Sequence, residues 1–141
     1  MIRKFDVRDM KRILEIEKDS FPKTFYGKHI FSYLARCCEF LVYESTREGM
    51  VGYTIFDPKD GHLISIAVDP LHRKKGIGKN LIEEVLKRCE RVWLEVRKSN
   101  TIAQSFYEKL GFVKTGVISN YYGDEDAFVM IKEQRYYSPN V

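Results

Sequence analysis

The stretch "HRKKGIGKNLIEEVL", His72 to Leu86, sets two glycines in a basic run directly before an apolar-periodic segment. Gly76 and Gly78 permit close backbone approach and left-handed angles, and a helix beginning there offers unpaired N–H groups and the positive end of its dipole. That combination suits an anion. A pyrophosphate-bearing cofactor, a nucleic acid or a membrane surface would each satisfy it, as would a solvated basic turn that binds nothing. The spacing does exclude two phosphate binders, because "GIGKNL" has neither the GxGxxG of dinucleotide folds nor the GxxxxGK[ST] of P-loops.

Two residues flanking this loop in sequence could move protons. In "VWLEV" the period of two puts Glu95 beside Trp93, opposite Val92, Leu94 and Val96. A half-buried carboxylate tends toward a raised pKa, which suits a base, although a surface-satisfied glutamate would show the same pattern. The same alternation places His62 on a strand face with Ile64, Ile66 and Val68, where a hydrogen-bonded core histidine is the plain alternative. A converging His and Glu could also hold a divalent metal, but two ligands make a poor site and none is expected.

Positioning these groups requires strands and helices in alternation. "IRKF" suits a short strand, and Asp6 then suits an N-cap for a helix with Met10, Ile13 and Leu14 on its inner face, ending near "SFPKT". Ile30, Phe31, Leu34, Ala35 and Cys38 mark a second helix. "FLVYES", "MVGYTIFD" and "HLISIAV" form a meander through the "TREG" and Asp60–Gly61 turns. After the glycine loop, Leu81, Ile82, Val85, Leu86 and Cys89 line one face of a helix, and "VWLEV" returns as a strand. His62 to Val96 is therefore strand, loop, helix, strand, a crossover that makes its two strands parallel. Thr101 and Gln104 have capping-box spacing before a helix carrying Ile102, Ala103, Phe106, Tyr107 and Leu110, which Gly111 stops. Strands around "FVKTGVI" and "AFVMI" complete a mixed, mostly antiparallel sheet with flanking helices, an α/β fold. One domain is expected over 1–135, with a short tail at 136–141.

With 141 residues, 44% hydrophobic and 31% charged, the chain has the composition of a single globular domain and not of a disordered one. No run of about 18 apolar residues occurs, and the start "MIRKFDVRDM" does not suit a signal peptide, so a soluble cytoplasmic protein with no membrane partner is expected. Cys37, Cys38 and Cys89 are odd in number and lack CxxC spacing, which argues against a disulfide framework or a zinc site. A net charge of +4 is mild and does not favour nucleic acid as a partner.

"RKKGIG", preceded by a strand ending "SIAVDP", resembles the R/Q-x-x-G-x-G/A motif of the GNAT superfamily of acetyl-CoA-dependent N-acetyltransferases. "WLEVRKSNTIAQSFYEKLGF" and "NYYGDEDAFVM" are similar to the corresponding segments of the subgroup that acetylates protein N-termini, including the ribosomal-protein-alanine and archaeal enzymes. The likeness covers His62 to Met130 and, more loosely, the whole chain. It implies the GNAT fold, acetyl-CoA as cosubstrate, and a protein or peptide N-terminus, ribosomal proteins among the possibilities, as acceptor.

The resemblance further implies that Arg73, Lys74, Lys75, Gly76, Ile77, Gly78 and Lys79 surround the pyrophosphate, mainly through backbone N–H groups. Ile66, Ala67 and Val68 would pair with the pantetheine arm as a strand does, and an N–H among them would hold the oxyanion. Asn100 matches the family asparagine beside the cofactor, and a helix cap is compatible with that role. Because an N-terminal amine has a pKa near ~8 it needs a base, and in the resembling subgroup the positions of Glu95 and His62 jointly face the amine. Tyr107 matches the tyrosine that protonates the departing thiolate, with a core position as its alternative. Tyr121 and Tyr122 resemble the tyrosines that hold a peptide's first residues. "SFPKTFYG" occupies the place of the substrate loop but lacks both the Pro-Trp pairing and the acidic "PEN" of known subgroups; Phe21 and Pro22 resemble the apolar loop that takes an uncleaved Met, and Lys23 adds a charge. The rivals are the same chemistry on a small amine or a lysine side chain, for which the tyrosine loop would be superfluous, and a non-catalytic nucleic-acid-binding module.

Overall fold

A computed structural model describes residues 1–23 and 25–134, so the expected tail at 136–141 lies outside the described residues. In chain order the elements are β1 (Ile2–Lys4), α1 (Met10–Ser20), α2 (Lys28–Cys37), β2 (Glu39–Ser45), β3 (Gly49–Asp57), β4 (His62–Val68), α3 (Ile77–Arg88), β5 (Arg91–Arg97), α4 (Thr101–Lys109), β6 (Val113–Ile118) and β7 (Ala127–Glu133). The seven strands form one sheet in the order β1-β2-β3-β4-β5-β7-β6. Every pairing is antiparallel except β4 with β5, the two strands joined by the α3 crossover. Both faces of the sheet are covered. Met10, Ile13 and Ile16 of α1 and Phe31 and Leu34 of α2 pack with Val42, Tyr53 and Ile55 on one face. Ile82 and Val85 of α3 and Tyr107 of α4 pack with Leu94, Val96 and Met130 on the other. Each fully enclosed side chain of this size contributes about 1.5–3 kcal/mol.

Local chemistry explains most boundaries. Asp6 caps a 3₁₀ turn, Val7–Asp9, by accepting from the Arg8 amide, while Asp9 answers back to the Asp6 amide at 2.8 Å; α1 proper starts one turn later than its cap suggests. Gly61 closes the β3–β4 turn at φ +79°, and a Cβ there would lie 1.7 Å from the Arg91 carbonyl, so the turn tolerates nothing larger. Three expectations need correction. Ile30 and Ile102, placed on inner helix faces by spacing, are 46% and 86% exposed. Each stands one residue before the inner face of its helix, which Phe31 and Leu34 carry in α2 and Ala103, Gln104 and Tyr107 carry in α4. The α4 cap is Asn100, whose Oδ1 accepts from the Ala103 amide at 3.1 Å, and not Thr101; Gln104 turns inward and donates to the carbonyls of Arg97 and Lys98.

The third correction concerns β4. The β3–β4 register pairs Ile55 with Ser65 and Phe56 with Leu63, which leaves Ile64 as an extra residue. This β-bulge breaks the alternation. Leu63 joins the α3–α4 face and Ile64 the α1–α2 face, and beyond the bulge Ile66 and Val68 pack with Ile77 and Leu81 while Ala67 takes the opposite side. His62 therefore shares its face with Ile64 but not with Ile66 and Val68.

Candidate active site

β4 and β5 lie parallel yet are paired in register at one position, His62 with Trp93. Past it the strands part, so the β4 edge through Ile66, Ala67 and Val68 presents its backbone groups to an opening instead of to a neighbouring strand. α3 begins at the far end of that opening. Lys74 and Gly76 both take left-handed angles, φ +64° and +82°, which turn the chain sharply into the helix. Asn80 is the first amide to bond back, to the Gly76 carbonyl at 3.0 Å, so the amides of Ile77, Gly78 and Lys79 point out of the helix end. An extended arm carrying a pyrophosphate fits this arrangement: strand-like pairing along β4, then anion contacts at the α3 terminus.

The side chains of the loop divide. Nothing lies within 4 Å of a Cβ built at Gly76, so the space beside it is open. Gly78 differs from the expectation of a bare approach to the ligand: a Cβ there meets the Phe106 ring at 3.2 Å, and the glycine lets α3 pack against α4. Arg73 is turned back onto the protein, donating from Nε to the Val68 carbonyl at 3.1 Å and from its guanidinium to Ser20 at 3.3 Å. Lys79 sits 3.8 Å from Glu83. Among the described residues no carboxylate pairs with Lys74 or Lys75, which remain exposed. Asp69 caps the turn before the loop through the Leu71 amide and also binds Arg12, fastening the loop to α1.

Glu95 and His62 meet where the strands part. Glu95 Oε2 accepts from His62 Nε2 at 2.9 Å, with the carboxylate 12% and the imidazole 25% exposed. The imidazole stacks on Trp93 at 4.0 Å between centroids, and the indole N–H donates to the Asp60 carbonyl, so the ring is held from two sides. An ionised carboxylate bonded this way requires the proton on Nε2. Tyr107 is buried on α4 against Phe106 and Phe112, where burial, with a smaller contribution from Tyr122, pushes its phenol well above the usual range and keeps it protonated.

Three phenols lie near enough to Glu95 for its charge to act on them. Burial and then the negative Glu95 and neighbouring groups raise Tyr121, and Tyr122 is pushed up to about 12 by burial, Tyr121 and Glu95. The third, Tyr26, raised by burial, Glu17 and Glu95, is not among the residues singled out from the sequence. Nothing in "TFYG" distinguishes it; only the fold brings it across the sheet. Tyr122 is held by Arg97, whose guanidinium lies 4.2 Å from the ring centroid and also binds Asp124 at 2.8 Å and Glu125 at 3.1 Å. Glu125 in turn accepts from Ser99. Lys23 lies 3.9 Å from Asp124, so it bridges the 21–27 segment to the 119–126 loop instead of standing alone at a groove mouth. Phe21 is half-buried in the α1–α2 core while Pro22 is exposed.

Comparison with known proteins gives a consistent result. Residues 10–112 match the family model described as the Acetyltransferase (GNAT) family. An N-alpha-acetyltransferase of Sulfurisphaera tokodaii is 34% identical over 154 aligned positions, covering 92% of this chain and 90% of the relative. Ard1 from Thermoplasma volcanium superposes with a TM-score of 0.86 at 28% identity, covering 96% of this chain and 97% of that one. The ribosomal-protein-S18-alanine N-acetyltransferase of Escherichia coli superposes with a TM-score of 0.84 at 27% identity, covering 100% and 97%.

Proposed function

Since the chain belongs to the GNAT family of acetyltransferases, we propose that it transfers the acetyl group of acetyl-CoA to the α-amino group of a protein or peptide N-terminus. That it is an acetyl-CoA-dependent N-acetyltransferase follows from the family; the acceptor and the residue roles are our reading. The observation that carries it is the His62–Glu95 pair placed at the parting of β4 and β5, with the phenols of Tyr26, Tyr121 and Tyr122 near enough to feel the carboxylate's charge.

Acetyl-CoA supplies an acetyl group already activated as a thioester. The β4 edge at Ile66–Val68 orients the arm, and the α3 amides with Lys74 and Lys75 hold its phosphates. The incoming amine, protonated at neutral pH with a pKa near ~8, loses its proton to Glu95 before or during attack. His62 fixes the carboxylate and, stacked on Trp93, keeps it aimed. Tyr107 retains its proton until sulfur becomes basic enough to take it. Direct attack needs no covalent enzyme intermediate.

The peptide backbone enters between the 21–27 segment and the 119–126 loop, where phenol hydroxyls can bond to amides and rings can cover a first side chain. Acetyl-CoA offered with peptides varied at their first two positions, read by mass, tests the acceptor class and its preference together. Ribosomal-protein N-termini belong in the first panel, because one structural neighbour is named for acting on S18. Acetylation confined to small polyamines would overturn the proposal.

A further inference from the structure

We propose that Glu17, on α1 and outside the reacting centre, is a positioning residue that holds Tyr26, in the acceptor segment that follows α1. The proposal rests on the reading that this segment forms one wall of the acceptor cleft. Its evidence is the side chain: Oε2 accepts from the Tyr26 amide at 2.8 Å, whereas the Phe21 amide bonds to the Glu17 carbonyl only as the last turn of α1, as it would with any residue there. Oε1 accepts from the hydroxyl of Tyr53 in the middle of β3. Tyr53 is itself fully buried, its ring edge-on to Phe31 and tilted against Phe40. The Tyr26 backbone is thus bolted through one carboxylate to the sheet.

The choice of residue type supports a role beyond packing. Glu17 is 1% exposed, and among the described residues no cation pairs with it. Burial drives its carboxyl upward in pKa, against the two hydrogen bonds that favour the charged form. A buried acid without a counter-ion costs stability relative to an apolar side chain of similar volume, and Met10, Ile13 and Ile16 already supply α1 with an apolar face. What an apolar residue could not do at position 17 is hold the Tyr26 amide. That amide belongs to the residue whose ring stands edge-on to Phe31 at 5.9 Å and whose phenol is near enough to Glu95 to feel its charge.

The test compares Glu17→Leu, Glu17→Gln and Tyr53→Phe with the parent. Glu17→Leu should raise KM for an acceptor peptide with a free N-terminus about tenfold to a hundredfold, the range of one hydrogen bond to a charged group, with acetyl-CoA affinity unchanged. Trypsin should cut after the exposed Lys23 correspondingly faster. Glu17→Gln keeps an acceptor oxygen for the Tyr26 amide and should recover most of the parent KM. Tyr53→Phe, which frees the carboxylate at one end only, should fall between and carries the test if Glu17→Leu does not fold. Parent KM and parent nicking rate in a folded Glu17→Leu, or in Tyr53→Phe when it stands in, would overturn the positioning role. If the parent itself acetylates no peptide while Glu17→Leu is nicked faster, the anchor stands and the acceptor reading falls.

Discussion

The proposed donor side of the site and its proposed acceptor side are built from different materials. Around the β4 edge and the α3 terminus the contacts on offer are backbone amides, set by a strand end, two left-handed residues and a helix start, all within 66–80. Around Glu95 the groups are side chains gathered from far apart: His62 from β4, Tyr26 from the segment after α1, and Tyr121 and Tyr122 from the β6–β7 loop, the last held by Arg97 of β5. A backbone site recognises what every acetyl-CoA has in common. A side-chain site can change one residue at a time, so acceptor preference can drift while the donor site stays fixed. Substitutions on the two sides should therefore separate cleanly into acetyl-CoA affinity and peptide kinetics.

The largest effect expected is from Glu95→Gln, which should lower turnover by about 10²- to 10⁴-fold at pH 7, the usual loss for a general base, while acetyl-CoA still shifts the melting temperature. Raising the pH toward and past the amine pKa near ~8 should restore part of the rate, because more of the acceptor arrives deprotonated. A flat pH response in this variant would move the base role to His62. Isothermal titration and a pH–rate profile separate the two outcomes.

Next comes Arg97→Met, which removes the guanidinium from Tyr122, Asp124 and Glu125 together. Its expected signature is a rise in peptide KM of about tenfold, from the loss of charge-assisted hydrogen bonds that order the loop, with acetyl-CoA affinity unchanged. An equal loss of acetyl-CoA affinity would break the division between the two sides. On the donor side, Gly78→Val should destabilise the fold by about 1–3 kcal/mol through overpacking against Phe106, and Phe106→Leu should return part of that loss. Chemical denaturation of the single and double variants measures it. If the two changes are additive, Gly78 is not a packing residue and a direct role beside the ligand returns.

The smallest effect is assigned to Lys23. Its partner Asp124 is already within 3.9 Å, and both side chains are more than half exposed. Lys23→Glu should change discrimination between Glu and Lys at the second peptide position by about 0.2–1 kcal/mol, less at high salt. Paired kcat/KM values for Met-Glu and Met-Lys peptides read this directly, and a larger shift would mean that the lysine contacts the peptide.

The same contrast explains what was legible in the sequence. The crossover, the glycine loop and the meander follow from local turn chemistry and periodicity, and the elements lie where those signals place them. Glu95 was legible because its neighbours in "VWLEV" alternate without interruption. His62 was legible as a residue, but its face relative to Ile66 and Val68 was not, because a bulge depends on the partner strand and leaves no mark in the alternation of one strand. Glu17 sits on the inner face of α1 by spacing, yet only the approach of Tyr53 and the Tyr26 amide gives that position a purpose. Gly78 illustrates a motif residue whose local reason, packing on Phe106, comes from a helix that follows it by more than twenty residues.

The central claim is that the acceptor is an α-amine. Its most direct test is one peptide in three forms, with a free N-terminus, with that terminus blocked, and with an internal lysine added to the blocked form, each incubated with acetyl-CoA and mapped by fragment mass. The account predicts one acetyl group on the α-nitrogen of the free peptide, none on the blocked peptide and none on the lysine. Acetyl groups on the lysine of the blocked peptide at a rate matching the free N-terminus would contradict it.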